Sequence, residues 1–198
     1  MPLQIMGPTS GSVTIQPTDT FTNTLTLPAG SGTLLSTANP QSGGIIQTVY
    51  GQASNQRYST TSTSWVDITG MTVNITPKSA NSKILIMGDL KIGGTSNCSV
   101  NIALVRNGTQ IYIGDTRGSR QRVTYATSND TNLNDVYASC NVYLDSPGTT
   151  SPVTYKIQMR TEVGNAGTGY LNTDGENPDT AEGSTSASSI TVMEVMCS

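Results

Sequence analysis

The chain contains no histidine. Ser-His-Asp and Cys-His nucleophile pairs and imidazole metal ligands are therefore excluded, which removes most hydrolase and metalloenzyme mechanisms. Charge is scarce as well. Charged residues make up 12% of the 198 and the net charge is −3, so neither a phosphate backbone nor an anionic membrane meets a basic surface. Nucleic acid is not an expected partner. No apolar run approaches the roughly 20 residues that a membrane-spanning helix requires, so membrane insertion is not expected either. The opening Met1-Pro2-Leu3-Gln4-Ile5 lacks the basic and apolar regions of a secretion signal, which points to synthesis in a cytoplasm. The three cysteines, Cys98, Cys140 and Cys197, are far apart and form no CxxC, a pattern that fits neither a disulfide framework nor a zinc knuckle. Buried free thiols are expected, with Cys140 on the apolar face of its strand. Neither a cofactor nor a metal is expected.

What the chain does contain is strand. Ser and Thr supply roughly a quarter of the residues, well above ordinary usage, and they alternate with Val, Ile and Leu over short runs. Those recurring β-branched residues from Ile45 to Val195 separate the chain from disordered sequences of similarly low charge. Helix-forming stretches are almost missing.

Residues 1 to 44 differ in texture from the rest. The short bursts Val13-Thr14-Ile15 and Leu25-Thr26-Leu27 are interrupted by Pro8, Pro17, Pro28, Gly30 and Gly32, so no long strand forms and no core can be built by one copy. This segment reads as an extended β arm for docking and trimerisation, with Val13, Ile15, Leu25 and Leu27 as its docking residues. The break at Asn39-Pro40-Gln41-Ser42-Gly43-Gly44 separates it from a larger unit, residues 45 to 198.

In that unit the clearest local signal is Asn107-Gly108, the dipeptide favoured in a type I′ hairpin. A two-residue loop there sets Arg106 opposite Thr109, Leu104 opposite Ile111 and Ile102 opposite Ile113. Trp65 to Ile75, Val136 to Leu144 and Val153 to Met159 alternate with period two, and the apolar set Ala138, Cys140, Val142 and Leu144 is assigned to the core. Ile84-Leu85-Ile86-Met87 and Ile190 to Met196 are apolar on both faces, which a half-solvated antiparallel strand should not be. A partner is expected to cover one of those faces, with Ile84, Ile86, Met193 and Val195 at a trimer interface.

Eight or so antiparallel strands with long loops fit a jelly-roll sandwich. The runs "YSTTSTSWVDITGMTVNITP", "SANSKILIMG", "LVRNGTQI", "YLDSPGTTSPVTYKIQMR" and "SSITVMEV" resemble marine bacteriophage domains, and these are similar to the C1q/tumour-necrosis-factor type of jelly roll. "GSVTIQPTDTFTNTLTLPAGSGTLLST" resembles the short repeat before such knobs in phage fibre proteins. The resemblance implies an all-β, homotrimeric virion protein. Its role would be a tail fibre knob for host attachment or a capsid decoration protein, with the arm bound to capsid, portal or tail proteins. A C1q-like lectin is the reading outside the virion class, and the missing signal peptide and unpaired cysteines count against it.

Residue by residue, ligand chemistry competes with plainer uses. Asp174, Glu176, Asp179 and Glu182 could form a glycosidase carboxylate pair or bind calcium, but they read more simply as a solvated acidic loop without calcium-loop spacing. No catalytic residue is assigned, and the chain is read as a non-enzyme. Arg117, Arg120 and Arg122 could grip an acidic host surface glycan or pair with Asp130 and Asp135. Trp65 is expected to pack, whereas Tyr125, Tyr137, Tyr143 and Tyr170 are the sugar-facing candidates. Host contact is expected on the loops 114–134 and 164–189, for their length and polarity.

Overall fold

The computed structural model describes residues 3–6, 12–15, 42–53, 57–127, 136–162, 167–175 and 183–197. The chain divides into two compact units, Met1–Leu35 and Ser36–Ser198. In the first, β1 (Leu3–Met6) and β2 (Ser12–Ile15) form an antiparallel pair that sets Val13 opposite Ile5 and Ile15 opposite Leu3. Leu25 and Leu27 lie outside the described residues.

The second unit is all-β among the described residues. Its strands are β3 (Ile45–Ala53), β4 (Tyr58–Thr60), β5 (Val66–Ile75), β6 (Lys83–Gly94), β7 (Val100–Arg106), β8 (Thr109–Ile111), β9 (Tyr125–Ala126), β10 (Tyr137–Asp145), β11 (Val153–Thr161), β12 (Gly169–Leu171) and β13 (Ser188–Val195). The long strands pair from the outside inward: β3 with β13, β5 with β11, β6 with β10, and β7 with β8, all antiparallel. This nested order is a long hairpin folded over on itself, which is a jelly roll. Further pairings of β13 with β6 and of β11 with β7 join these pairs into two sheets, β3-β13-β6-β10 and β5-β11-β7-β8. β12 and β4 extend the first sheet beyond β13, and β9 extends the second.

Period-two alternation fills the space between the sheets. Ile68, Met71, Val73 and Ile75 of β5, Ile84, Ile86, Leu90 and Ile92 of β6, and Val153, Tyr155, Ile157 and Met159 of β11 are all buried in one core. β5 keeps this phase only through an irregularity at Gly70, whose φ of +82° suits glycine and whose added Cβ would lie 2.6 Å from the Gln52 carbonyl oxygen. The hairpin follows its sequence: Asn107 and Gly108 have φ of 47° and 86°, the type I′ signs, and Leu104 stands opposite Ile111. The ladder then stops early. Tyr112 turns to φ 52°, so Ile102 pairs with Tyr125 of β9 rather than with Ile113.

The principal correction concerns β10. Tyr137, Ser139, Asn141, Tyr143 and Asp145 point inward, whereas Ala138, Cys140, Val142 and Leu144 are exposed. The cause lies at its end. Asp145, 4% exposed, accepts hydrogen bonds from Arg106 Nη1 at 2.8 and 2.9 Å and from the Tyr155 hydroxyl at 2.6 Å. An unpaired carboxylate there would be expensive, so these donors fix the phase of the strand. Burial first, and then the bond to Asp145, push the Tyr155 hydroxyl far above its ordinary pKa, so it stays a donor.

A second buried carboxylate lies at the same end of the sandwich, since Asp145 of β10 and Glu194 of β13 both stand opposite Ile84 of β6. Glu194, 0% exposed, accepts from the Lys78 N–H at 2.7 Å and from Gln47 Nε2. Burial raises its pKa, but the donors around it outweigh burial and leave it below the usual value.

Asp145→Ala should lower unfolding free energy by about 3 kcal/mol in denaturant titrations, because it strands the Tyr155 hydroxyl and unpairs Arg106. A loss near that of an exposed substitution would show that the cluster does not hold β10. For Glu194 the folded carboxyl titrates below the unfolded value of about 4.5, so its stabilisation is complete above that pH and disappears as pH falls through the folded value. Glu194→Gln should therefore reduce stability at neutral pH and flatten the acid fall; an acid profile equal to wild type would remove Glu194 as its source.

Candidate functional site

The reversed phase of β10 completes an apolar surface on the outside of the first sheet. Strand register lays it out in rows. One row runs Tyr50, Thr191, Met87, Val142, and the next runs Thr48, Met193, Leu85, Leu144. Tyr50 is 57% exposed, Val142 49% and Leu144 51%, with Ile45 at 56% beside Val195 at the end of β13. The rim is polar: Lys91 pairs with Asp89 on one side, and Lys83 donates to the Ser146 hydroxyl at 2.6 Å on the other. An apolar centre inside a polar rim is the anatomy of a protein interface. Among the described strands β10 pairs with β6 alone, so it also presents a free strand edge.

This layout corrects part of the expected interface. Ile84 and Ile86, at 0% and 2% exposure, belong to the core of a single copy; Leu85 and Met87 are the outward residues of β6. Met193 and Val195 do face outward and are half-buried. Cys140 is exposed on the same surface and Cys197 is half-buried, whereas Cys98 is buried. Burial pushes the Cys98 thiol up, and the charge of Glu162 adds to it.

The four tyrosines chosen as sugar contacts are not displayed together. Tyr170 is 9% exposed at the centre of β12 with the Arg57 guanidinium 4.4 Å above its ring. Tyr125 packs against the core, as does Tyr143, which stacks on Tyr112 at 4.8 Å. Tyr137 is half-buried. The 164–189 segment is not one exposed loop: Gly169–Gly175 is buried, and Asn172 reaches the Ala53 carbonyl and accepts from the Ser188 hydroxyl at 2.6 Å. Asp174, 1% exposed, accepts from the Ser184 N–H at 3.2 Å; Glu176, Asp179 and Glu182 lie outside the described residues. No cluster of three or more metal-ligating side chains occurs among the described residues.

Arg117, Arg120 and Arg122 are exposed on the segment between β8 and β9, where Arg122 Nε donates to the Gly114 carbonyl at 2.6 Å. Their expected partners Asp130 and Asp135 lie outside the described residues. Arg120 lines a polar groove of about 520 Å³ on the outside of the second sheet, shared with Asn101, Gln121, Thr127, Ser99 and Glu162. Sequence reasoning singled out Arg120 but missed its groove partners, which come from four separate segments. Trp65 packs under the Arg160 guanidinium at 4.5 Å, and Arg160 Nη2 donates to Gln121 at 2.5 Å.

Beneath Gly88, on the inner face of β6, lies a cavity of about 10 Å³ capped by Tyr112 and Tyr143. An added Cβ there meets nothing within 4 Å.

No protein-family model matches the sequence, and no curated protein matches it. The fold is similar to a structure of infectious bursal disease virus, Gx strain, at 14% identity and TM-score 0.42, covering 76% of this chain and 32% of that one. It is also similar to the VP2 subviral particle of that virus, at 15% identity and TM-score 0.41, covering 86% and 46%. A third likeness is to infectious bursal virus-derived T=1 particles, at 12% identity and TM-score 0.42, covering 96% and 48%. The chain thus spans a third to a half of the length of these proteins, and likenesses this distant carry no inference.

Gly88→Ala should raise unfolding free energy by about 0.5 to 1 kcal/mol, because the methyl enters open space and the unfolded chain loses freedom. A destabilised variant would mean that the tyrosine cap is in contact with the β6 backbone.

Proposed function

We propose that this chain is a non-enzymatic structural protein of a virion surface, a homotrimeric knob of tailed-bacteriophage type that holds the particle to its host. The observation that carries the reading is the outward apolar face of β3-β13-β6-β10. Tyr50, Val142 and Leu144 there are each about half exposed, so each forgoes roughly 1 kcal/mol of burial in a lone copy, which contact with sister copies restores. A second copy is the fitting occupant, since the face combines an apolar centre, a polar rim and a free edge on every chain. The trimeric order, the phage setting and the C1q/tumour-necrosis-factor type rest on the sequence resemblance. The arm, with Val13, Ile15, Leu25 and Leu27, would dock on capsid, portal or tail proteins. Several knobs per particle multiply weak contacts with the host.

Sedimentation equilibrium tests the assembly. Wild type should sediment as a trimer, and the double variant Val142→Glu, Leu144→Glu should associate at least about a hundredfold more weakly, since it buries charge without a partner. In wild type, Cys140 should react with a thiol reagent faster on dilution while Cys98 stays protected until unfolding. A monomer at all concentrations, or an undisturbed trimer in the double variant, would overturn the assembly. Labelled-antibody electron microscopy of particles tests the virion location.

A further inference from the structure

The groove on the second sheet has a floor of polar side chains. Ser99 and Asn101, 6% and 5% exposed, line it. Their hydroxyl and amide can exchange hydrogen bonds with solvent or with a ligand in the groove. Thr127 beside them is committed, its hydroxyl accepting from the Val100 N–H at 2.8 Å. At the rim stand Gln121, Glu162 and Arg120, whose guanidinium is exposed and forms no ion pair among the described residues.

Charge narrows the ligand. The rim segment from Ile113 to Thr124 carries Arg117, Arg120 and Arg122 against Asp115 alone, in a chain whose net charge is −3. Glu162 is offset by nearby Arg160, the two being close enough to influence each other's titration. Arg120 is thus a cation without an ion pair among the described residues, in a groove lined otherwise by hydroxyls, amides, the Glu162 carboxylate and the apolar Val123 and Ala126. Such a lining suits many hydroxyls and one anionic group. Its volume also lies in the range of small-ligand sites, about 300 to 1,000 Å³.

We infer that this groove binds an acidic saccharide, with Arg120 gripping the carboxylate or sulfate and the Ser99, Asn101 and Gln121 side chains bonding sugar hydroxyls. The inference deepens the host-attachment reading and rests on it for the biological setting. It does not depend on assembly, because the groove lies on the sheet opposite the apolar face.

The structure supplies a reporter. Trp65 is the sole tryptophan, and it is linked to the groove through Arg160 and Gln121. Titrating the full-length protein with tetragalacturonate should give a saturable change in Trp65 fluorescence that weakens with added salt. Arg120→Gln should weaken binding by about tenfold, the loss of one charge-assisted contact, and Asn101→Ala should weaken it without changing the salt dependence. Maltotetraose and inorganic sulfate should each bind far more weakly. No saturable signal, equal affinity for maltotetraose, equal affinity for sulfate, or an Arg120→Gln variant that binds like wild type would each overturn the assignment. Saturable binding by a protein that sediments as a monomer would sink the trimer and leave the groove standing; a trimer without binding would do the reverse.

Discussion

The buried carboxylate of Asp145 decides which way the surface of this protein faces. A strand has only two phases, and moving by one residue exchanges its faces entirely. Hydrophobic burial alone would turn Ala138, Cys140, Val142 and Leu144 inward. That phase would put Asp145 in solvent and leave the Arg106 and Tyr155 donors without their acceptor. With Asp145 inward, Tyr143 and Tyr137 follow it, and the Tyr143 ring packs against the core with apolar bulk that Val or Leu would otherwise provide. The interior therefore loses little, while the exterior gains an apolar stripe. The opposition is between one ion-paired cluster and two large aliphatic side chains, and the cluster prevails because breaking it costs several kcal/mol.

The two sheets consequently meet their surroundings in opposite ways. On the second sheet the outward positions form a polar lattice: Lys156 and Gln158 both bond to Asp67 at 2.7 Å, and the Thr154 hydroxyl donates to Asn74 at 2.6 Å. The bonds from Lys156 and then Gln158 hold the Asp67 carboxyl below its ordinary pKa. Ala103 and Val105, outward on β7, are nonetheless 0% and 1% exposed, Ala103 standing opposite Gln158 of β11 and Val105 between Lys156 of β11 and Gln110 of β8. Long polar side chains thus shield short apolar ones. On the first sheet Leu85 lies between Met193 and Leu144, and Met87 between the short Thr191 and Val142, so no long polar side chain shields them.

Much of the fold was legible in the sequence because its signals are local. Alternation located the long strands, and Asn107-Gly108 set the hairpin register, since φ above zero at both central residues is a demand on two adjacent residue types. The two-faced runs Ile84 to Met87 and Ile190 to Met196 correctly marked a sheet with apolar residues on both sides. Alternation could not say which members of each run turn outward, because that choice is made by pairing with distant strands. The same limit explains β10: nothing near Asp145 in sequence announces Arg106 and Tyr155 as its partners. The groove was equally hidden, being assembled from Ser99, Asn101, Arg120, Gln121, Thr127 and Glu162 across more than sixty positions of chain.

One consequence of the jelly-roll order is that the two outward faces are independent. Alternate residues of β11 and β7 feed the core and the second sheet's exterior, while those of β6, β13 and β10 feed the core and the first sheet's exterior. A substitution on either exterior leaves the opposite exterior beyond the thickness of a packed core, about 10 Å of sandwich, where energetic effects are ordinarily additive. The exception is Asp145. It binds Arg106 and Tyr155 of the second sheet while setting the phase of a strand in the first, so it ties the two surfaces physically. Any change that releases it alters the apolar face without touching a residue of that face.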